Sequence, residues 1–129
     1  MGVEQNPKIG IVGPCGSGKS TLVQNLKDHR VLAEIHHIAQ EHSYVDDMWQ
    51  RLVKPDILIY LDASYETATN RRKLNWTYQE YLEQCVRLRH SKEHAALVVN
   101  TDNLSAFEVY QKTADFLILQ GINFLRKSE

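Results

Sequence analysis

The sequence predicts a three-layer α/β/α sandwich in which helices cover both faces of a parallel sheet of about four strands. Short apolar runs alternate with segments of helical periodicity along the chain, and this alternation is typical of parallel sheets with crossover helices. The chain has 129 residues, 43% of them apolar and 24% charged. These values predict one globular domain, residues 1–129, with a single buried core.

The first strand is predicted at Lys8–Val12, because KIGIV is short, apolar and β-branched, as in a strand buried on both faces. A glycine-rich loop follows this strand. A helix is then predicted over about Lys19–His29, where Leu22, Val23 and Leu26 recur at helical spacing.

The middle of the chain supplies a second and a third strand. The second strand is predicted at Val31–Ile38, and a short amphipathic helix at Asp46–Val53. Pro55 ends that helix. The continuous apolar run Ile57–Leu61 then predicts a strand buried on both faces of the sheet.

Two further helices are predicted before the last strand. Ser64 is a favoured N-cap for a helix that runs to about Lys73. Thr77 and Glu80 have capping-box spacing and begin the next helix. The apolar face of this second helix is predicted to contain Tyr78, Tyr81, Leu82, Cys85 and Leu88.

The fourth strand is predicted at Ala95–Val99, followed by a last helix. Ser105 and Glu108 form a second capping box, and the helical pattern extends to about Arg126. The buried face of this helix is predicted to contain Phe107, Tyr110, Ala114, Leu117 and Ile118.

The loop after the first strand carries the strongest functional signal. Its sequence, GPCGSGKST, fits the phosphate-binding pattern G-x-x-x-x-G-K-[ST] and lies between a predicted strand and a predicted helix, as the motif requires. Glycines let the backbone N–H groups turn inward around an anion. The predicted nucleotide-binding residues here are Gly13, Pro14, Cys15, Gly16, Ser17, Gly18, Lys19, Ser20 and Thr21.

Two side chains of this loop have defined chemical roles. Lys19 supplies a positive charge for the outer phosphates, and is also a predicted catalytic residue. Ser20 supplies a hydroxyl ligand for Mg²⁺. The pattern therefore predicts a nucleoside triphosphate, such as ATP, together with Mg²⁺.

Charge and composition argue against several other classes of protein. The net charge of −1 gives no electrostatic reason to expect a nucleic acid or an anionic membrane as partner. No apolar run has the length of a membrane span, and MGVEQNPK lacks the apolar core of a signal peptide. The two cysteines, Cys15 and Cys85, form no disulfide framework. We therefore expect a cytoplasmic location.

Three segments, taken in chain order, resemble the P-loop nucleoside and nucleotide kinase group. They are GPCGSGKST, then KPDILIYLDASYETATNRR, then ALVVNTDNLSAFEVYQKTADFL. The resemblance implies a P-loop NTPase type of fold, nucleotide binding and phosphoryl transfer. It also implies that Arg71 and Arg72 contact phosphate or base, and that the loop containing Asp102 borders the base.

The chain departs from that group in length. Only about 25 residues, Arg30 to Lys54, separate the first helix from the Pro-Asp strand. A separate substrate-binding domain therefore has no room, and the lid is reduced to a few residues around Arg71–Trp76. The resemblance accordingly supports nucleotide binding more strongly than phosphoryl transfer.

Two carboxylates compete for a catalytic role. Ligands of parallel sheets bind at the carboxyl ends of the strands, so the loops at 13–19, 39–44, 62–65 and 100–105 are the places to inspect. Glu41 follows the second strand, where it is predicted to hold the Mg²⁺ water shell or orient the nucleophile. Asp62 ends the third strand and is the competing candidate, although it can also cap the next helix.

The histidines give no metal-site prediction. His36 and His37 are adjacent, so on a strand they point to opposite faces of the sheet. His42 has no Cys or His partner at zinc-site spacing. These three side chains are interpreted as packing or loop residues.

Three functions remain open from the sequence. The first is a minimal ATP-dependent kinase that uses Lys19, Arg71 and one of the two carboxylates on a small-molecule acceptor. The second is a nucleotide-binding module that reports to a protein partner, and the third is a slow NTPase. No NKxD-type guanine motif appears, which mildly favours ATP over GTP.

Overall fold

The computed structural model describes residues 6–125. The chain alternates strands and helices throughout this range. The elements in chain order are β1 (Lys8–Val12), α1 (Lys19–Asp28), β2 (Glu34–His37), a 3₁₀ turn (Gln40–His42), α2 (Met48–Leu52), β3 (Ile57–Asp62), α3 (Tyr65–Arg72), α4 (Tyr78–His94), β4 (Leu97–Asn100) and α5 (Ala106–Leu119).

The four described strands form one parallel sheet in the order β2-β1-β3-β4. In this register Ile11 lies opposite both His37 of β2 and Ile59 of β3. The prediction of a parallel sheet of about four strands, with β1 inside it and β3 beside it, is confirmed. The carboxyl ends of β1, β2 and β3 therefore meet at one edge.

Two apolar clusters lie on opposite faces of the sheet, as alternation of side chains along a strand requires. Ile9 and Ile11 belong to the cluster that also contains Leu22 and Leu26 of α1. Val12 belongs to the other cluster, which is closed by side chains of α2 and α4. The predicted three-layer α/β/α architecture is confirmed.

The second strand is shorter than predicted. Only Glu34–His37 pairs with β1, whereas the prediction covered Val31–Ile38. Val31 instead forms an isolated antiparallel bridge with Phe124, and the N–H of Leu32 donates to the carbonyl of Asn123 at 2.8 Å. The first part of the predicted strand thus pairs with the far end of the chain.

The last helix also ends earlier than predicted, at Leu119 instead of about Arg126, which lies outside the described residues. Gly121 follows with a φ of 89°, and the N–H of Ile122 donates back to the carbonyl of Leu117 at 2.9 Å. A left-handed glycine with such a bond is a common helix terminator.

Both predicted capping boxes are present, at Thr77 with Glu80 and at Ser105 with Glu108. The predicted faces of these two helices are partly wrong. On α4, Tyr78 and Leu82 are exposed, and buried Gln84 and Ser91 accompany Leu88. No helix within residues 6–125 is both long and apolar enough to cross a bilayer.

The buried face of α5 is displaced in the same way. Phe107 and Ile118 are exposed, while Val109 and Thr113 are buried with the predicted Tyr110, Ala114 and Leu117. The hydroxyl of Thr113 donates to the carbonyl of Val109 at 2.9 Å. This local bond satisfies a polar group inside the core, so the apolar pattern alone does not reveal the true face.

Adjacent residues of α5 provide a matched test of this face. Leu117 is 0% exposed and Ile118 is 57% exposed. Leu117→Ala should lower the free energy of unfolding by about 2–5 kcal/mol, because it leaves a core cavity. Ile118→Ala should change it by about 0.5 kcal/mol or less. Urea unfolding followed by circular dichroism measures both, and equal losses would contradict the observed face.

Candidate functional site

The phosphate-loop sequence forms a tight turn between β1 and α1. Gly16 and Gly18 have φ values of 80° and 99°, in the left-handed region that favours glycine. A Cβ placed on Gly16 would lie only 2.5 Å from the carbonyl oxygen of Ala68, whereas a Cβ on Gly18 would meet nothing within 4 Å. The loop is therefore packed directly against the backbone of α3.

Lys19 is folded back over this loop and is only 5% exposed. Its Nζ donates to the carbonyl oxygens of Gly13 at 2.7 Å and Pro14 at 3.0 Å. It also forms an ion pair with Oε2 of Glu41 at 3.0 Å. An ammonium group has three N–H donors, so its present partners use its full donor capacity.

Glu41 is presented by the 3₁₀ turn that follows β2, and is 3% exposed. Its Oε1 is buried and has no hydrogen-bond partner among residues 6–125, and neither does the buried Oγ of Ser17. A buried carboxylate oxygen without a donor is energetically costly, so it is a candidate contact for a ligand or an ion. The structure therefore places a partly unsatisfied carboxylate beside the loop lysine.

Gln40 holds the turn that carries Glu41. Its Nε2 donates to the carbonyl of Val45 at 2.8 Å and to that of Arg87 at 3.2 Å, and its Oε1 accepts the N–H of Trp49 at 2.8 Å. Arg87 also donates to the carbonyl of Glu41 at 3.3 Å. These bonds join the turn to α2 and α4, so the Glu41 backbone is anchored on two sides.

The two arginines at the end of α3 lie beside the loop, and Nη1 of Arg71 is 3.5 Å from the carbonyl oxygen of Ser17. Nη1 of Arg71 donates to Oγ1 of Thr101 at 2.8 Å, and Nη2 donates to the carbonyl oxygen of Thr101. Thr101 follows β4, so this fork ties α3 to the end of the sheet. Arg72 lies beside Arg71 at the border of the same cleft.

A cleft of about 620 Å³ contains most of the predicted site residues. The predicted residues among those that line it are Cys15, Gly16, Gly18, Lys19, Ser20, Thr21, Glu41, Arg71 and Arg72. His37, Ala39 and His42 complete the lining. Four predicted residues, Gly13, Pro14, Ser17 and Lys19, also build the loop beneath it through their backbone or buried side chains.

His37 takes its charge state from this environment. Burial lowers the pKa of His37 below its ordinary value, the nearby ammonium of Lys19 lowers it further, and Glu41 opposes the change. Since an unperturbed histidine is already mostly neutral at pH 7, His37 faces the cleft as a neutral imidazole at that pH.

Asp62 and Asp102 have other partners. Asp62 forms an ion pair with Lys92 at 3.1 Å and does not line the 620 Å³ cleft. Oγ of Ser64 caps α3 by accepting the N–H of Thr67 at 3.2 Å. Oδ1 of Asp102 accepts the N–H of Ser64 at 2.8 Å. The start of α3 is thus held by Ser64 and Asp102, and Asp62 is not its cap.

A second hollow, of about 120 Å³, is also bordered by Arg71. It is bordered by the loop and α1 through Ser17 and Leu22, and by the start of α5 through Leu104 and Val109. Its lining is more apolar than that of the large cleft. Arg71, Gly18 and Thr21 therefore border both the polar cleft and the smaller apolar one.

Sequence reasoning missed the polar residues that support the site, namely Gln40, Gln84 and Thr101. All three are buried, and each satisfies its polar groups by hydrogen bonds to distant segments. The position of Gln84, four residues before the predicted core residue Leu88, was the one sequence signal that Gln84 lies on the buried face of α4. It placed a polar side chain on an otherwise apolar helix face.

Solved structures provide the comparison with known proteins. The chain matches the structure of thymidylate kinase from Candida albicans with a TM-score of 0.64 and 12% sequence identity, over 95% of this chain and 99% of that chain. The chain has a P-loop kinase fold. No family model and no curated protein sequence matches it. The structural similarity supports the fold, and the activity of the chain has to be argued from its own residues.

Two glycines of the loop provide a matched test of its contact with α3. Alanine at either Gly16 or Gly18 adds left-handed strain of about 1–2 kcal/mol. Only Gly16→Ala also forces a Cβ against the Ala68 backbone, which should lower stability by a further 1–3 kcal/mol or so. The difference between the two variants in urea unfolding measures the contact, and equal losses would contradict it.

Proposed function

We propose that this chain binds a nucleoside triphosphate with Mg²⁺ and transfers the terminal phosphoryl group to a small-molecule acceptor. The observation that carries the proposal is the convergence of Lys19, Glu41 and Arg72 on one cleft at the carboxyl edge of the sheet. Phosphoryl transfer depends mainly on positioning and charge stabilisation. A lysine, a carboxylate and an arginine around a glycine-rich loop supply both.

Phosphate binding would exchange the partners of Lys19. Because its three donors are now used by Gly13, Pro14 and Glu41, contact with a phosphate oxygen must replace at least one of these bonds. Loss of the bond to Glu41 would release the carboxylate for the acceptor or the metal. Nucleotide binding would thereby prepare the catalytic carboxylate.

The residues present fit a Mg²⁺ site. Glu41 and Ser20 line the same cleft, Oε1 of Glu41 is unpartnered among the described residues, and carboxylate and hydroxyl oxygens suit Mg²⁺. We propose Ser20 and Glu41 as the residues that hold the ion, directly or through its waters. When bound, Mg²⁺ supplies charge neutralisation on the phosphate oxygens.

The two arginines would have different roles. Arg71 is held by Thr101, so it is a fixed side chain at the border of both the phosphate cleft and the apolar hollow. The hollow, bordered by Leu22 and Val109, is the proposed place for an adenine base, and Asp102 supports the adjoining loop. Arg72 is proposed to contact the transferred phosphoryl group, since a guanidinium binds phosphate oxygens in a bidentate manner.

A nucleotide-binding module with little turnover, which reports to a protein partner, is the second candidate. The segment between α3 and α4 is short and tied down. The hydroxyl of Tyr65 donates to the carbonyl of Trp76 at 2.7 Å, and Nε1 of Trp76 donates to Oγ1 of Thr69 at 2.6 Å. A lid held in this way favours retention of the nucleotide over rapid product release.

Lys19 tests nucleotide binding itself. Lys19→Met should weaken Mg²⁺-ATP binding by about 100-fold or more, because it removes a charge-assisted contact to phosphate worth about 3 kcal/mol. Lys27→Met is the matched control, because Lys27 is an exposed lysine in the last turn of the same helix. Calorimetry measures affinity, and circular dichroism checks folding, since Glu41 loses its partner. Unchanged affinity in folded Lys19→Met would refute phosphate-loop binding.

Substitutions of Glu41 and Asp62 test which carboxylate takes part in phosphoryl transfer. Glu41→Gln keeps the shape of the side chain and should retain nucleotide, but lower turnover by about 10²–10⁴-fold. Asp62→Asn should leave turnover unchanged, because Asp62 lies outside the cleft. Transfer of labelled phosphate from ATP to a panel of nucleosides, nucleotides and sugars is compared with release of free phosphate.

The outcomes separate the candidates. Transfer to an acceptor supports the kinase, and phosphate release alone supports a slow NTPase. Binding without either supports the module. Loss of turnover in Asp62→Asn, with normal turnover in Glu41→Gln, would reverse the assignment of the catalytic carboxylate.

A further inference from the structure

Three donor atoms of different chemistry converge beside the phosphate loop. Sγ of Cys15 lies 3.7 Å from Nε2 of His42, and Oε2 of Glu41 lies 3.8 Å from the same Nε2. One sulfur, one imidazole nitrogen and one carboxylate oxygen from these residues all lie within 4.8 Å of one another. We propose that Cys15, Glu41 and His42 form a binding site for a soft divalent metal ion such as Zn²⁺.

The spacing of the donors fits tetrahedral coordination. With Zn–S, Zn–N and Zn–O bonds of ordinary length, neighbouring ligand atoms in a tetrahedron are separated by about 3.4–3.6 Å. The distances of 3.7 Å and 3.8 Å at His42 exceed these by only a few tenths of an ångström. The third pair, the Cys15 sulfur and a Glu41 oxygen, lies within 4.8 Å, so the side chains must draw together to close around an ion.

The ligand types select the metal. A thiolate together with an imidazole favours Zn²⁺ and similar transition metals over Mg²⁺, which prefers oxygen ligands. Cys15 is a free thiol, and it would release its proton on binding. The thiolate and the Glu41 carboxylate would then contribute two negative charges against the dication.

The nearest positive charge belongs to Lys19, which contacts the same carboxylate oxygen that lies nearest His42. Lys19 and His42 both approach Oε2 of Glu41, at 3.0 Å and 3.8 Å. Oε1 is buried and unpartnered among the described residues. An ion held through Oε2 would replace the Lys19 contact to this oxygen, while Lys19 keeps its two bonds to the loop carbonyls of Gly13 and Pro14.

Two buried glutamines support the segments that carry the three ligands. Oε1 of Gln84 accepts the Cys15 N–H at 3.0 Å, and Nε2 of Gln84 lies 3.3 Å from the Cys15 sulfur. Gln40 anchors the turn that carries Glu41 and His42. Such outer contacts orient metal ligands and contribute to affinity.

The fourth coordination position faces the cleft. His42 is largely exposed, with 60% of its side chain accessible, and all three ligands line the 620 Å³ cleft. Three protein ligands with one open position are typical of reactive zinc sites, whereas structural sites are closed by four. The open position would accept water or an anion.

Co²⁺ titration of the reduced, nucleotide-free chain tests the site independently of the proposed function. We expect one tightly bound Co²⁺ with thiolate-to-cobalt charge-transfer absorption, displaced by one equivalent of Zn²⁺. Cys15→Ser should abolish the charge-transfer band. His42→Ala, at an exposed side chain, should weaken Co²⁺ binding about tenfold or more.

Two other substitutions are matched controls. Cys85→Ser removes the second free thiol, and His36→Ala removes a histidine of β2 outside the cluster, so both should bind Co²⁺ as the wild type does. Absence of a charge-transfer band in the wild type would overturn the proposal. A band that survives in Cys15→Ser, or that is lost in Cys85→Ser, would also overturn it.

Discussion

The buried ion pair between Lys19 and Glu41 joins the two halves of the cleft. Removing two charges from water is expensive, and their mutual attraction compensates for this only with good geometry and further hydrogen bonds. Lys19 obtains such bonds from two loop carbonyls, while one oxygen of Glu41 has no donor within residues 6–125. The pair thus keeps the loop and the turn after β2 in contact, but leaves one carboxylate oxygen of Glu41 able to accept a further hydrogen bond or ion.

The segment between α1 and β3 is short, and this explains why several roles are proposed for its one buried carboxylate, Glu41. The segment forms a four-residue edge strand, one 3₁₀ turn and a five-residue helix. It brings no separate domain over the cleft. Gln40 and Arg87 then attach the turn to α2 and α4, so the neighbouring helices supply the support that a longer insertion could provide.

Local sequence signals predicted most of the fold. β1 was predicted to the residue, and both capping boxes are present, because strand composition and cap spacing act over a few neighbouring residues. The errors arise where contacts between distant segments determine the strand bounds or the buried face of a helix. Val31 pairs with Phe124, and no pattern near Val31 carries that information. The faces of α4 and α5 were misplaced because Gln84 and Thr113 are polar yet buried.

In the candidate site, too, the sequence predicted what a motif and the strand order determine, and missed a contact between distant residues. Pattern and strand order predicted that the loop and Glu41 would lie together, and the structure brings Lys19 and Glu41 within 3.0 Å. The proximity of Cys15 and His42 was not predicted, because 27 positions separate them and neither belongs to a metal-binding motif. Only the parallel pairing of β1 with β2 aligns the loops that carry these two residues.

The contact between Gly16 and the backbone of Ala68 has a mechanical consequence. The space between them lacks room for even a methyl group, and Ala68 lies less than one turn before Arg71 on the same helix. Any widening of the loop around an anion must therefore push α3, and with it both arginines. Thr101 binds Arg71 and also contacts the loop at the carbonyl oxygen of Ser17, so the push would be transmitted to the end of β4. Anion binding would therefore move the loop, α3 and the end of β4 together, and the loop could not change its shape independently of α3.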